Sequence, residues 1–162
     1  LYYAGGTTIA LATPTLSLLY AFPYLIGKPT AIDRLAVDVS GTIANATARL
    51  GVYADTGEGY PGALLVETAL LDTSAAGLIA GTVSATLPVG IAWFAYVAQT
   101  AAAAIRVTTA TGAHYPVGVV TPSSAIQIVY TDTLASGALP ATWTSTVATG
   151  AGNVPKVYFR AA

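Results

Sequence analysis

Few residues in this chain have the means to do chemistry, and two of them sit close together. Asp55 and Glu58 stand three positions apart in "GVYADTGEGYPGALL", residues 51–65, where glycines and a proline separate two apolar runs. A calcium loop supplies several oxygen ligands at alternating positions, and this stretch offers only two carboxylates and the Thr56 hydroxyl. A glycosidase pair needs carboxylates about 5–10 Å apart on opposite sides of a sugar, whereas two acids in one turn face water together. The plainest expectation is a hairpin connection. Gly57 and Gly59 would take positive φ, the Asp55 side chain would bond its own backbone, and Pro61 with Gly62 would restart the chain.

Nucleophilic hydrolysis requires a base beside the nucleophile. His114 is the only histidine, it lies in the Gly/Pro-bounded stretch "GAHYPVG", and no serine occupies a G-x-S-x-G turn. The chain has no cysteine, which removes disulfides, thiolate chemistry and the usual zinc sites. No catalytic residue, no metal site and no cofactor is expected. Sugar binding is a better match to the inventory, because Trp and Tyr rings stack on the apolar side of a pyranose while polar neighbours orient it. Tyr60, Tyr115 and Trp143 fall in loop segments, and Trp93 falls in a strong strand pattern that points to the core. The candidate binding set is therefore Tyr60, His114, Tyr115 and Trp143, with Asp55 and Glu58 as polar partners. The competing reading is that Tyr60 and Trp143 cap the ends of the fold.

Strands have to position these side chains. Thr, Val, Ile and Tyr abound, Glu, Lys and Gln are scarce, and no long segment repeats with the 3.6-residue period of a helix. Strands are expected at 16–24, 32–40, 46–54, 64–71, 81–87, 90–99, 105–109, 126–131 and 154–160, with the alanine-rich run "TAAAAIRV" at 100–107 as a connection into a strand. In "AIDRLAVDVS" the face carrying Asp33, Leu35, Val37 and Val39 is the expected core side. In "IAWFAYVAQT" both faces are apolar, as in a strand covered on one side by a second sheet and on the other by a neighbouring subunit. The expected fold is all-β, a β-sandwich of jelly-roll type with about eight to nine strands. It spans residues 15–162, and residues 1–14 form an N-terminal arm or a connection to something upstream.

Composition bounds the partners. Of the 162 residues only 8% are charged, against about 25% in an ordinary soluble domain, while 54% are apolar and mean hydropathy is +0.66. No apolar run reaches the roughly 18 residues of a spanning helix, so membrane insertion is not expected. So little surface charge favours burial against other copies, and a homo-oligomer is expected. Net charge is −1 with six scattered basic residues, which gives no footprint for nucleic acid.

The order "LLYAFPYLIGKPTAIDRLAVDVSG", "ARLGVYADTGEGYPGALLVET", "SATLPVGIAWFAYVAQ", "GALPATW" and "PKVYFRAA" resembles a domain of tailed-bacteriophage structural proteins, over nearly the whole chain from about Leu16 onward. Arg49, Gly51, Tyr53, Asp55, Pro61, Gly62 and Leu64 carry the strongest part of that likeness. The resemblance implies a virion component, in a tail fibre, another surface appendage or a capsid decoration, and it brings no catalytic residues. The expectation that follows is a non-enzymatic, virion-surface protein, trimeric, in contact with other virion proteins and attaching to a host-surface glycan. The alternatives are an architectural role cementing a capsid and a carbohydrate-binding module of a larger protein.

Overall fold

The computed structural model describes residues 2–3, 9–109, 129–145, 148–149 and 153–162. The described residues contain strands and no helix, in agreement with the all-β expectation. In chain order the strands are β1 (Tyr2–Tyr3), β2 (Ile9–Ala12), β3 (Leu18–Ile26), β4 (Thr30–Val39), β5 (Thr47–Asp55), β6 (Pro61–Glu67) and β7 (Leu71–Asp72). They continue as β8 (Gly77–Leu87), β9 (Gly90–Ala98), β10 (Ile105–Thr109), β11 (Val129–Thr133), β12 (Ala148–Thr149), β13 (Asn153–Pro155) and β14 (Val157–Ala161).

Two antiparallel sheets pack face to face. The first joins β1, β14, β4, β10 and β13, with β8 on β4 and β2 on β10. The second runs β12-β11-β3-β9-β5-β6, with β7 on β5. This is the expected sandwich, with more strands than the expected eight to nine, the additional ones only two to four residues long; the strand order defines the two sheets and does not by itself make their winding a jelly roll. Tyr2 and Tyr3 pair with β14, and residues 9–12 pair with β10, so these parts of the segment set apart as an arm are hydrogen-bonded into the first sheet.

The inter-sheet core follows the alternation along β4, with one correction. Leu35, Val37 and Val39 are buried there as expected, but Ile32 takes the place expected of Asp33. Residues three apart cannot share a face of a regular strand. The register of β4 slips between Ile32 and Arg34 against β8, and against β14 between Arg160 and Ala161, and this irregularity turns Ile32 inward. Asp33 is left at the surface, where its carboxylate takes two bonds from the Arg160 guanidinium, one of them from Nε at 2.8 Å.

β9 is covered on both faces. Ala92, Phe94, Tyr96 and Ala98 join the inter-sheet core, where Phe94 stacks on Phe159 with centroids 5.4 Å apart. Trp93, Ala95 and Val97 point the other way, into a second apolar cluster with Leu19, Ala21, Tyr53, Tyr130, Leu139 and Trp143. The sequence alone assigned this outer face to a neighbouring subunit, but the chain's own segment 134–143 covers it. That strap is pinned by backbone bonds from Leu64 N–H to the Ala141 carbonyl and from Trp143 N–H to the Gly62 carbonyl, both 2.9 Å. Side chains pin it as well: Tyr53 Oη donates to the Pro140 carbonyl at 3.0 Å, and the Glu67 carboxylate accepts Leu139 N–H at 2.8 Å. Burying each large ring or aliphatic side chain beneath the strap is worth roughly 1.5–3 kcal/mol.

Gly51 makes the close approach possible. A β carbon at that position would lie 2.4 Å from Leu139 Cδ1 and 3.1 Å from the Val66 carbonyl oxygen. The expected 64–71 strand is divided by Thr68, which turns inward so that its Oγ1 accepts Leu50 N–H at 3.2 Å.

Candidate functional site

The β5–β6 connection is the turn its residue types predict. Gly57 and Gly59 have φ of +90° and +81°, a region that excludes most side chains. The Asp55 Oδ2 accepts Gly57 N–H at 2.7 Å, the local bond that nucleates an Asx turn, and Thr56 N–H closes the loop on the Tyr60 carbonyl at 2.9 Å. Pro61 then opens β6.

The other carboxylate oxygen of Asp55 is also engaged. Its Oδ1 accepts the indole Nε1–H of Trp93 at 2.8 Å, so Asp55 braces the turn against β9. Glu58 lies at the tip, exposed. Asp55 thus directs both of its oxygens at protein donors while Glu58 faces out, an arrangement unlike two carboxylates flanking a substrate.

Tyr60 folds back from the tip onto Tyr130, with centroids 5.2 Å apart, and Tyr130 meets Trp93 edge to face at 5.4 Å. Burial first, then the nearby Tyr60 and Asp55, push the Tyr130 phenol up to about 12. Tyr53, whose ring meets Trp143 edge to face at 5.4 Å, is also shifted upward, by burial and then by the Glu67 and Asp132 carboxylates.

Trp143 is 6% exposed, held by its backbone bond to Gly62 and by an Nε1–H bond to the Ser145 carbonyl at 2.7 Å. A stacking platform open to a whole pyranose face needs more exposure than this, so the ring serves as a wall and floor. Trp143 comes beside the β5–β6 turn because residues 141–143 run along the outer edge of β6, through the Ala63–Thr142 bridge.

Between the turn and the strap lies a shallow cleft of about 420 Å³, lined by Thr56, Glu58, Tyr60, Pro61, Trp143, Thr144 and Ser145. Three residues singled out in the sequence, Glu58, Tyr60 and Trp143, are brought together here, and Asp55 stands behind them through Trp93. His114 and Tyr115 lie outside the described residues. Thr56, weighed in the sequence only as a calcium-loop oxygen, lines the cleft as well, and sequence reasoning missed Thr144 and Ser145, whose hydroxyl groups carry no pattern of their own. It also missed the bracing roles of Trp93 and Tyr130, since an apolar strand pattern does not reveal an indole N–H reaching a turn.

Chemically the cleft offers an apolar wall of Trp143, Tyr60 and Pro61, three aliphatic hydroxyl side chains and one carboxylate. Among the described residues no group of three His, Cys, Asp or Glu side chains is placed to hold a metal ion. Comparison with known protein families and with curated proteins finds no match to this chain.

Proposed function

We propose that the chain is a non-enzymatic attachment domain of a virus particle, of the tailed-phage kind its sequence resembles. It works as a homo-oligomer, a trimer, among other virion proteins on the particle surface and holds a host-surface glycan in the cleft between residues 56–61 and 143–145. The observation that carries this reading is the cleft itself, which gathers two aromatic rings, hydroxyls and a carboxylate from segments more than eighty positions apart. Sugars are bound by that combination of apolar contact and orienting polar groups. A shallow site binds weakly, and repetition on a symmetric particle raises avidity by a factor of about 10² to 10⁴. The test is a glycan array and whole-cell binding with the native chain and with Thr144→Trp, which places a bulky ring at an exposed lining position. Loss of binding by the folded variant supports the reading, and unchanged binding removes the cleft from it.

A second reading, an architectural role cementing a capsid, is favoured by β8. This eleven-residue strand pairs only with β4 among the described residues, and Leu78 on it is 49% exposed. No charged side chain occurs in residues 73–105, so the strand lacks the charges that commonly guard an edge against pairing with another copy. Density at a tail tip favours attachment, and density over capsid symmetry axes favours cementing.

A further inference from the structure

Building on the glycan-attachment reading, we infer that the cleft selects amino sugars carrying a free ammonium group, such as glucosamine units, and disfavours anionic sugars. Glu58 lines the cleft, and its carboxylate takes part in none of the ion pairs found among the described residues. None of Lys28, Arg34, Arg49, Arg106, Lys156 and Arg160 lines the cleft. Arg49, Arg106 and Arg160 are engaged with Glu67, Asp38 and Asp33, and the Lys156 ammonium lies 5.5 Å from the Tyr158 ring centroid.

Further negative charge stands behind the lining. The Thr144 Oγ1 lies 3.5 Å from the Asp132 Oδ2, and Asp55 sits beneath the turn on Trp93. With a carboxylate in its wall, two more behind it and no basic side chain in its lining, the cleft attracts cations and repels carboxylate sugars. The Thr56, Thr144 and Ser145 hydroxyls suit neutral sugar hydroxyls, and the apolar surface of Tyr60, Pro61 and Trp143 suits the C–H face of the ring.

The experiment is a calorimetric titration of the full chain with three oligosaccharides: glucosamine oligomers, their N-acetylated counterparts and oligogalacturonate. The amine oligomer is expected to bind most tightly. Glu58→Gln should weaken it by about fivefold, the scale of one exposed ion pair, and should weaken the N-acetylated oligomer less. Oligogalacturonate binding as tightly as the amine oligomer, or amine binding indifferent to Glu58→Gln, overturns the inference. Thr144→Trp separates the two levels. If neutral sugars bind and are lost in that variant while Glu58→Gln has no effect, glycan attachment stands and charge selection falls; if no sugar binds the native chain, both fall.

Discussion

The indole N–H of Trp93, in the middle of β9, donates to the Asp55 carboxylate at 2.8 Å and so fastens the β5–β6 turn to the centre of the second sheet. Because the same carboxylate holds Gly57 N–H, one side chain sets both the shape of the turn and its position. Replacing Asp55 with Ala removes a charged acceptor and leaves a part-buried N–H without its partner, at a cost of about 1.5–3 kcal/mol. Asp55→Asn, which keeps an acceptor oxygen, should cost less. Denaturant unfolding followed by tryptophan fluorescence measures both.

The strap depends on the missing side chain of Gly51. Gly51→Ala should destabilise by about 1–3 kcal/mol, since its methyl group meets Leu139 and the Val66 carbonyl. Part of that cost should vanish when Leu139 is also Ala, because the truncated side chain gives the methyl room. A double-mutant cycle measures the coupling, and purely additive changes would show that Leu139 does not rest on Gly51.

Much of this architecture was legible from the chain alone, and the failures have specific causes. Alternation in residues 90–98 located β9 and its two apolar faces, and turn chemistry located Gly57, Gly59 and Asp55. The inward turn of Ile32 escaped because period-two reasoning assumes an unbroken register, and the slip there depends on β8 and β14, which lie far away in sequence. The covering of Trp93 was assigned to another subunit because residues 134–143 carry the Gly, Pro and Ser typical of a loop. Their role as a lid is set by long-range bonds from Glu67, Tyr53 and β6. Of the two readings of Trp143, a sugar platform and a cap on the fold, its burial agrees with the cap.

High pH should unfold the protein in a definite window. Burial raises the Tyr130 phenol to about 12 from an ordinary value of 10.0, and Tyr53 and Tyr96 are raised as well. A folded value above the unfolded one gives stability that is complete below about pH 10 and is lost as pH rises through the folded value. Chemical denaturation at stepped pH should show that decline beginning near pH 10. Ultraviolet titration should show these tyrosines ionising together with unfolding, well after the exposed ones.

At the acid end the sign reverses. The hydrogen bond from Arg160 holds the Asp33 carboxyl below its ordinary value of 3.8, so its contribution is present above that value and is lost as pH falls through the lowered one. Arg160→Gln should flatten the acid limb of the stability profile below the ordinary carboxyl value of 3.8. An acid limb identical to that of the native chain would show that the pair contributes nothing there.

Self-association through the β8 edge predicts a concentration-dependent oligomer by light scattering. Leu78→Lys and Thr82→Lys together put like charges on an exposed stretch of that strand and should yield a folded monomer. A native chain that stays monomeric at micromolar concentration contradicts the assembly.

If a sugar is held in the cleft between the β5–β6 turn and the strap, an amide NMR titration with glucosamine oligomers will locate it there. The predicted result is a set of saturable shifts concentrated at residues 56–60 and 143–145, absent in the folded Thr144→Trp variant. Shifts confined to other surfaces, or none at saturating sugar, would contradict it.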